Sequence, residues 1–451
     1  MPSSKEYAKR LAKGSAVVFV ALVISGLVGF LLRMFLTRTL SVEEYGLFYA
    51  IFALVSFFAL FRDLGLNSAL VKYIPEFQVR RDFKAIKSSI TFVMLFQAVF
   101  AFLVAAILFA FSGRLALVFF RSEAAVLPLQ ILSVWSFTMV FYSVIRSAFQ
   151  GFQNMPAFAG MEFSWITLVF ISAVLFVGVL GQGIGGVAFA YLVATLVMIV
   201  FGLTHLGRRY TQISKKRASV TKSLVKKLFV FALPVFIGGL GGIILGYTDT
   251  LMITAFRGLT QVALYQAAQP ITNMLWTLVG TLTTVFFPMV SELWAKQKQK
   301  FLNSALQFLI KFSFILIIPA VHLLVAFPEI ILRLLFGDSY LAAATVLQIL
   351  GGVTLLYAPF TIMTCAIGGI GAPLINTKVV VVMACLNFFG NLLLIPSYGI
   401  EGAAVATFCA TLAGLVLSSY YLRKILKLNL PILPLFKTVA GGMLTLIFIF
   451  V

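Results

Sequence analysis

The sequence is dominated by a succession of apolar runs, each about long enough for a helix to cross a membrane. A helix needs roughly 20 apolar residues to cross the hydrocarbon core of a bilayer. Thirteen stretches reach or approach that length. The predicted spans are 14–37, 45–66, 87–112, 126–148, 158–180, 184–206, 228–253, 264–290, 304–327, 342–368, 374–396, 401–421 and 435–451. These runs predict an all-α polytopic membrane protein.

The composition excludes the other broad classes. Of the 451 residues, 62% are hydrophobic and 10% are charged, whereas a soluble domain is near half apolar and a quarter charged. The runs also lack the period-two alternation of membrane β-barrel strands. The three cysteines lie inside apolar runs without CxxC spacing, so we expect neither a disulfide nor a metal site.

The distribution of positive charge predicts the orientation of the chain. If the N-terminus is cytoplasmic, 26 of the 34 Lys and Arg residues fall on the inside, five fall outside and three lie within spans. This is a strong positive-inside bias. We therefore predict a multi-pass protein of the cell membrane with a cytoplasmic N-terminus. The basic segment 207–227 suits anionic lipid headgroups better than nucleic acid, so membrane lipids are expected partners and nucleic acid is not.

An internal repeat relates the two halves of the sequence. Residues 183–190 (GIGGVAFA) match 399–406 (GIEGAAVA), and the motif LQIL occurs at both 129–132 and 347–350. The nearly constant offset between matched segments predicts two six-helix bundles in a parallel pseudo-two-fold repeat around a central cleft, followed by a thirteenth span. This architecture favours an alternating-access transporter over a duplicated scaffold without transport. The predicted parts are an N-terminal lobe 1–206, a linker 207–227, a C-terminal lobe 228–421 and a final loop and span 422–451.

Small residues and prolines within the spans suggest mobile, closely packed bundles. Gly238, Gly242 and Gly246 follow one face of the seventh span and predict close helix approach there. Four of the prolines within spans of the second half are singled out as predicted kinks. They are Pro234, Pro270, Pro319 and Pro359.

Ionisable residues within spans are the main candidates for a binding site. Each costs roughly 2.5–3.5 kcal/mol at the bilayer centre. The substrate-binding candidates are Arg33, Arg62, Arg146, Lys311 and Lys378, and the gate or coupling candidates are Asp63, Glu162 and Asp249. The cationic surplus suits an anionic ligand, particularly phosphate. The alternative is that these cations are interface anchors whose side chains extend to the membrane surface.

One pair of these residues suggests a gate. When the two halves are aligned by the repeat, Asp249 falls opposite Leu32, beside Arg33. We predict that Arg33 and Asp249 form an outer gate that an anion releases; alternatively, Asp249 binds a coupling cation. Amides at similar depths are further candidates for binding sugar hydroxyls, and the alternative for them is polar packing between helices. They are Gln97, Gln150, Asn154, Gln269, Asn273, Asn387 and Asn391.

Three motifs carry a family resemblance. They are 33–48 (RMFLTRTLSVEEYGLF), 63–74 (DLGLNSALVKYI) and 334–343 (LLFGDSYLAA). The chain resembles the polysaccharide transporter family of O-antigen-type flippases, which belongs to the multidrug/oligosaccharidyl-lipid/polysaccharide exporter superfamily. The resemblance implies two six-helix lobes and transfer of a polyprenyl-phosphate- or diphosphate-linked oligosaccharide to the outer leaflet. It also implies a phosphate site at Arg33 with Arg38 at its mouth, a monomer, and glycan-assembly enzymes as partners.

The alternatives differ in the residues that they need. The sequence has no P-loop motif, so we expect no nucleotide cofactor; Na⁺, H⁺ and the membrane potential remain open as driving forces. A multidrug exporter of the same superfamily would need carboxylates in its first span, where none follows Glu6. A peptidoglycan-precursor flippase is compatible with the sequence. A membrane glycosyltransferase or polymerase would need paired outer carboxylates, and the absence of a DxD motif predicts that the protein is not an enzyme.

Overall fold

The polytopic all-α prediction is confirmed by the computed structural model, which describes the backbone of residues 4–426. Side chains are described from residue 18 onward, except at 214, 243 and 285. Within this range every regular element is helical, and eleven segments are long and apolar enough to cross a membrane. The predicted thirteenth span, 435–451, lies outside the described residues.

The chain divides into two compact units, Met1–Ile237 and Gly238–Val451, and the division falls within a long helix. The first unit contains α1 (Ser4–Thr39), α2 (Val42–Phe58), α3 (Leu60–Asp63), α4 (Leu66–Val79), α5 (Phe83–Ala110), α6 (Val126–Gly151), α7 (Met155–Ala173), α8 (Gly183–Arg209) and the first part of α9 (Lys222–Arg257).

Side-chain caps determine where several of these helices begin. Ser41 accepts a hydrogen bond from the backbone N–H of Glu44, and the Glu44 carboxylate accepts one from the backbone of Ser41. This capping box is worth about 1 kcal/mol and explains the SVEE segment before α2. Asp82 caps α5 through its side chain, and Asn154 caps α7.

The core of the first unit is built around α6, which contacts α2, α4, α5, α7 and α8. Its inward positions include Leu132, Val144 and Ala148, all fully buried. At its end, Gly151 lies so close to α4 that a Cβ atom there would be 3.0 Å from the Cβ of Ile74. The absence of a side chain at Gly151 therefore permits α4 and α6 to meet.

The first part of α9 is anchored to α4 within the same unit. Lys227 Nζ donates to Glu76 Oε1 at 2.9 Å and lies over the rings of Tyr73 and Phe77. The hydrogen bond from Lys227 lowers the pKa of the Glu76 carboxyl below its ordinary value. The basic start of α9 thus has a defined partner on the first unit.

The second unit consists of the rest of α9 and five further helices, with α13 contacting α10, α11 and α14. The helices are α10 (Leu259–Ala295), α11 (Gln299–Ala326), α12 (Pro328–Phe336), α13 (Ala344–Gly369) and α14 (Pro373–Leu426). Pro270, Pro319 and Pro359 lie inside helices that continue past them, and Pro234 does so in α9.

Helix α9 does approach another helix closely, but at a glycine other than the three predicted ones. The backbone of Gly241 packs directly against Val380 of α14, whereas a Cβ atom at Gly242 or Gly246 would meet nothing within 4 Å. Gly238 makes an ordinary contact with Thr377. The prediction from the i, i+4, i+8 spacing is therefore wrong for Gly242 and Gly246, because the face of α9 that meets α14 is centred on Gly241.

The 54-residue helix α14 is interrupted near its middle. Gly399 has φ 59° and ψ −135°, a conformation outside the helical region. Arg257 Nε donates to the Ile395 carbonyl at 2.9 Å, and its Nη2 donates to the Pro396 carbonyl at 2.5 Å. These bonds satisfy carbonyls that lose their helical partners at the break. The two parts correspond to the predicted spans 374–396 and 401–421.

Residues with positive φ recur at related positions in the two halves of the chain. Left-handed residues mark the turns between helices in both units, at positions that match when the two halves of the sequence are aligned. The pairs are Arg81 and Gln297, Arg121 and Gly337, Gln153 and Gly371, and Gly183 and Gly399. Gly181 and Gly258 also have positive φ, without such a partner in the other unit. The break between α3 and α4 at Leu64 and Gly65, both with positive φ, has no counterpart in the 37-residue α10.

Candidate functional site

Arg33 on α1 is surrounded by tyrosine side chains of the first unit. Its guanidinium carbon lies 4.2 Å from the ring centroid of Tyr49 on α2, and the guanidinium hydrogen-bonds to Tyr45. Tyr191 of α8 also interacts with it, and all three tyrosines are buried. A guanidinium stacked on a ring gains about 0.5–2 kcal/mol. The tyrosines thus fix the orientation of Arg33 while leaving it partly exposed.

An aromatic cluster continues from Tyr191 into the unit. The Tyr191 ring lies 5.7 Å from Trp135 and 5.9 Å from Trp165. Both indole N–H groups donate to the hydroxyl oxygen of Thr195, at 3.1 and 2.9 Å. Thr195 is fully buried. One threonine therefore satisfies two indoles and positions both rings beside Tyr191.

The cluster ends at an ion pair between two predicted site residues. Arg146 Nε lies 3.3 Å from Glu162 Oε2, and the guanidinium stacks over Phe158 at 4.2 Å. The Tyr142 hydroxyl donates to the same Glu162 oxygen at 3.3 Å, and its ring lies 5.8 Å from Trp165. The charges of Arg146 and Glu162 thus compensate each other, and both side chains are about a quarter exposed.

Arg62 and Asp63 are adjacent in sequence but bind different groups at the end of α3. Arg62 Nη1 donates to the backbone carbonyl of Ser136 at 2.5 Å. Asp63 Oδ1 accepts from the backbone N–H of Asn67 at 3.1 Å and from Gln97 Nε2 at 2.9 Å. Because these bonds connect α3 to α4, α5 and α6, both residues stabilise the break between α3 and α4.

Asp249 on α9 is the most completely hydrogen-bonded carboxylate in the described part of the second unit. Its Oδ1 accepts from Asn387 Nδ2 at 3.0 Å and from Asn391 Nδ2 at 2.6 Å. Its Oδ2 accepts from the hydroxyls of Tyr265 at 2.6 Å and Thr407 at 2.8 Å. Asp249 is 3% exposed. A buried carboxylate is costly unless it is bonded, and four uncharged donors from two neighbouring helices supply that bonding.

The amide oxygens give the Asp249 cluster a second binding mode. Asn391 Oδ1 is buried and accepts no hydrogen bond from the described residues. Rotation of an asparagine side-chain amide by 180° exchanges the positions of its oxygen and nitrogen. The oxygen then points towards the carboxylate in place of the N–H. The same side chains can therefore present donors to a free carboxylate, or oxygens to a small hard cation or a proton.

The remaining predicted cations lie on exposed surfaces. Lys311 projects from α11 between the exposed Phe308 and Ile315, and Lys378 projects from the second turn of α14. Arg38 is exposed in the last turn of α1. Their placement agrees with the interface-anchor alternative. Arg33 and Asp249 each have partners within their own unit, so the gate between them stays a prediction.

The structure changes the interpretation of the amides. Gln97, Asn387 and Asn391 are at most 1% exposed and bonded to carboxylates, so these three follow the alternative of polar packing between helices and do not bind sugar hydroxyls. Asn154 caps a helix. Asn273 is exposed on α10 and Gln269 is partly exposed beside it.

Several site residues are missed by the sequence prediction. Tyr45 and Tyr49 lie at i, i+4 in and just after the first motif, a spacing that places both on the α2 face towards Arg33. Tyr191, Tyr265 and Thr407 have no such signal, because they reach their partners from other helices of the fold.

Two family models match the chain. The model described as "Polysaccharide biosynthesis protein" matches residues 11–294. The model described as "Lipid II flippase MurJ" matches residues 154–451. Each covers more than half of the chain, and together they extend over nearly all of it.

Curated relatives match over most of their own length. The chain is 30% identical to the uncharacterized membrane protein MJ1068 of Methanocaldococcus jannaschii, covering 93% of this chain and 85% of that protein. It is 24% identical to the probable low-salt glycan biosynthesis flippase Agl15 of Haloferax volcanii, covering 91% and 83%.

Solved structures share the fold at low identity. A multidrug resistance transporter of the MATE family and MOP superfamily, in an inward-facing conformation, has a TM-score of 0.78 at 16% identity, covering 91% of this chain and 98% of that one. The lipid II flippase MurJ, in an inward closed conformation, has a TM-score of 0.75 at 14% identity, covering 96% and 92%.

Proposed function

We propose that this chain, which belongs to the polysaccharide biosynthesis protein family, moves polyprenyl-phosphate- or diphosphate-linked oligosaccharides from the inner to the outer leaflet. Its relatives are flippases and exporters of the MOP superfamily, so it is a membrane transporter and not an enzyme. A flippase is needed because an unpartnered sugar hydroxyl costs several kcal/mol in hydrocarbon and a phosphate charge costs far more. We place the protein in the cell membrane, with its N-terminus cytoplasmic.

The observation that carries this proposal is the tyrosine-held Arg33. Its guanidinium lies within the first span, partly exposed and stacked on Tyr49. A planar guanidinium binds phosphate oxygens in a bidentate manner. The tyrosines orient this guanidinium inside the span, where it can meet the phosphate of a lipid-linked sugar.

The acidic residues argue against export of organic cations. A drug-sized cation would need a carboxylate that it can reach, and Asp249 is buried behind four donors. Glu162 is paired with Arg146 and accepts from Tyr142. These carboxylates stabilise the protein's own side chains, which favours an anionic substrate.

We propose alternating access driven by a cation, with Asp249 as the coupling site. A small cation or proton at Asp249 would change the hydrogen bonding between α9, α10 and α14 that its four donors provide. Since these hydrogen bonds lie within one unit, binding of a cation or proton at Asp249 would change how the helices of that unit pack. An outward-directed negative headgroup also gains about 2.3 kcal/mol per charge per 100 mV of interior-negative potential.

A leaflet-specific assay tests the proposal. Purified protein in vesicles is given a polyprenyl-diphosphate oligosaccharide, and a membrane-impermeant lectin reports the headgroup that reaches the other leaflet. We expect transfer well above that in protein-free vesicles. Arg33→Gln should lower the rate about tenfold without a matching loss of thermal stability. The matched control is Arg114→Gln, an exposed arginine at the end of another helix, which should transfer normally.

The second candidate substrate is a lipid-linked peptidoglycan precursor, favoured by the MurJ match over residues 154–451. A parallel arm of the assay uses that precursor, and a third arm uses a fluorescent organic cation. If the precursor is transferred faster than the oligosaccharide, the precursor is the substrate of this protein. Transport of the organic cation alone would refute both.

A further inference from the structure

The side chains on the exposed face of each spanning helix indicate whether that face suits lipid chains or a polar environment. On α5, α8 and α14, large apolar side chains make up most of the exposed face. They include Leu95, Val99, Phe102 and Ile107 on α5, Leu196, Val200 and Leu203 on α8, and Phe388, Phe389, Leu392 and Leu393 on α14. Such faces suit lipid chains, because hydrocarbon offers no hydrogen bonds.

Helix α10 differs from these helices. Asn273, Thr277 and Thr284 are exposed, and Thr281 is partly exposed. At 3.6 residues per turn, these four positions lie within about 80° of one another, so they form a polar stripe about three turns long. The apolar Met274 and Leu278 flank the stripe on its exposed side. We call residues 273, 277, 281 and 284 the α10 stripe.

The α10 stripe has hydrogen-bonding capacity that the protein itself does not use up. The hydroxyls of Thr277, Thr281 and Thr284 donate to carbonyls of their own helix at 2.6 to 3.0 Å. A threonine oxygen that donates in this way can still accept a hydrogen bond. The Asn273 amide offers both a donor and an acceptor. Four adjacent polar groups facing hydrocarbon would be unfavourable, which favours water or a polar ligand beside the stripe.

We propose that the α10 stripe is the surface on which the sugar part of the headgroup moves through the protein. This inference rests on the proposed function and adds that α10 contacts the sugar part of the substrate. The stripe has no charge, so it does not bind the phosphate. Its regularly spaced acceptors and amide match the alternating donors and acceptors of sugar hydroxyls, and a longer glycan covers more of them.

The test compares glycans of different length on one lipid. Thr277→Val, Thr281→Val and Thr284→Val are combined, since valine keeps the shape of threonine and removes the hydroxyl. We expect the triple variant to transfer a lipid diphosphate bearing several sugars at least tenfold more slowly, and one bearing a single sugar no more than twofold more slowly. Equal losses for both substrates, or no loss, would overturn the inference.

A matched control is available on α7. Thr167 lies on the helix face of the exposed Phe163 and Ile171, and its hydroxyl donates to the Phe163 carbonyl at 2.7 Å. Its intrahelical bond is thus the same as those of the stripe, but its neighbours are apolar. Thr167→Val should transfer both substrates normally, and a defect like that of the triple variant would contradict a special role for α10.

A second readout does not depend on transport. In a variant lacking Cys365, Cys385 and Cys409, Thr277→Cys should react with a water-soluble maleimide in reconstituted vesicles, and Thr167→Cys should not. If the wild type transfers neither glycan but Thr277→Cys reacts, the proposed function fails and the sugar assignment with it, while the water-facing stripe stands. An unreactive Thr277→Cys would refute the stripe itself.

Discussion

At the scale of single residues, uncharged neighbours contact two of the charges within the spans. Arg33 rests on tyrosine rings, and Asp249 accepts from two amides and two hydroxyls. Such partners offset the desolvation of a charge within a span without neutralising it. A substrate phosphate at Arg33 or a cation at Asp249 would therefore add an opposite charge to a site that is already oriented.

The first prediction concerns Asp249. If Na⁺ binds its carboxylate, Na⁺ should raise the melting temperature of the purified protein relative to choline, because a ligand of the native state stabilises it. At a concentration of 100 times the dissociation constant, the gain is about 2.7 kcal/mol. Asp249→Asn should abolish the Na⁺-dependent shift.

The control for this measurement is Asp338→Asn, which removes an exposed carboxylate paired with Arg333 and should keep the shift. A wild-type melting temperature that is the same in Na⁺ and choline, at several pH values, would remove Na⁺ as the coupling ion. A shift that survives in Asp249→Asn would place the cation elsewhere.

The second prediction concerns Thr195. Thr195→Val leaves the buried N–H group of Trp135 and the partly buried N–H group of Trp165 without their shared acceptor. An unsatisfied buried donor costs about 1–3 kcal/mol, so we expect a loss of about 2–4 kcal/mol in unfolding free energy, seen as a lower melting temperature. Thr167→Val, on an exposed helix face, should change it little. Equal stability of the two variants would contradict the shared-acceptor geometry.

Among the helices, two breaks are each stabilised by a charged side chain. The break between α3 and α4 is held by Asp63 and closed by Gly65, which has φ 77° and lies against the backbone of Ala232. The break in α14 lies at Gly399 and is held by Arg257. In both cases a charged side chain satisfies backbone groups that the helix leaves unpaired.

The third prediction compares two glycines. Gly399→Ala forces a side chain onto a backbone with φ 59° and ψ −135°, which costs about 1–3 kcal/mol even though the nearest atom is 3.6 Å from the new Cβ position. Gly246→Ala, inside α9 with nothing within 4 Å of its Cβ position, should be neutral or stabilising by up to about 1 kcal/mol. Melting temperatures in detergent would measure both, and a harmless Gly399→Ala would contradict the break.

At the scale of the whole molecule, the repeat and the charge distribution are the main constraints. The turns of the two units carry left-handed residues at matching places in the repeat, as at Gly183 and Gly399, which supports a common origin of the halves. The linker that follows α8 holds a cluster of lysines and arginines. Positive charge on this scale determines the side of the membrane on which a segment remains.

The fourth prediction follows from that bias. In cysteine-free protein, Ala218→Cys in the exposed linker should react with a membrane-impermeant maleimide in inside-out vesicles and not in intact cells. Arg121→Cys, in a predicted outer loop, should show the opposite pattern. Reaction of Ala218→Cys in intact cells would reverse the predicted orientation.

The helical fold can be predicted from the sequence because its signal is local. Apolar runs identify spans, and the turn at Gly399 lies in the gap between the predicted spans 374–396 and 401–421. The sequence does not predict the short helix α4, because its 14 residues mix apolar and polar side chains and are too few to span a membrane. It does identify the ionisable candidates, since a charge within a span is conspicuous.

The all-helical membrane class, most of the spans and the set of charges within spans can be read from the amino-acid sequence, because each depends on residues close in the chain or on composition. The packing of the helices sets the partners of those charges. It paired Arg146 with Glu162, placed tyrosines around Arg33 and bonded Asn387 and Asn391 to Asp249. Such contacts depend on how helices rotate and pack, and a rotation of one helix by half a turn exchanges its buried and exposed faces without changing its sequence.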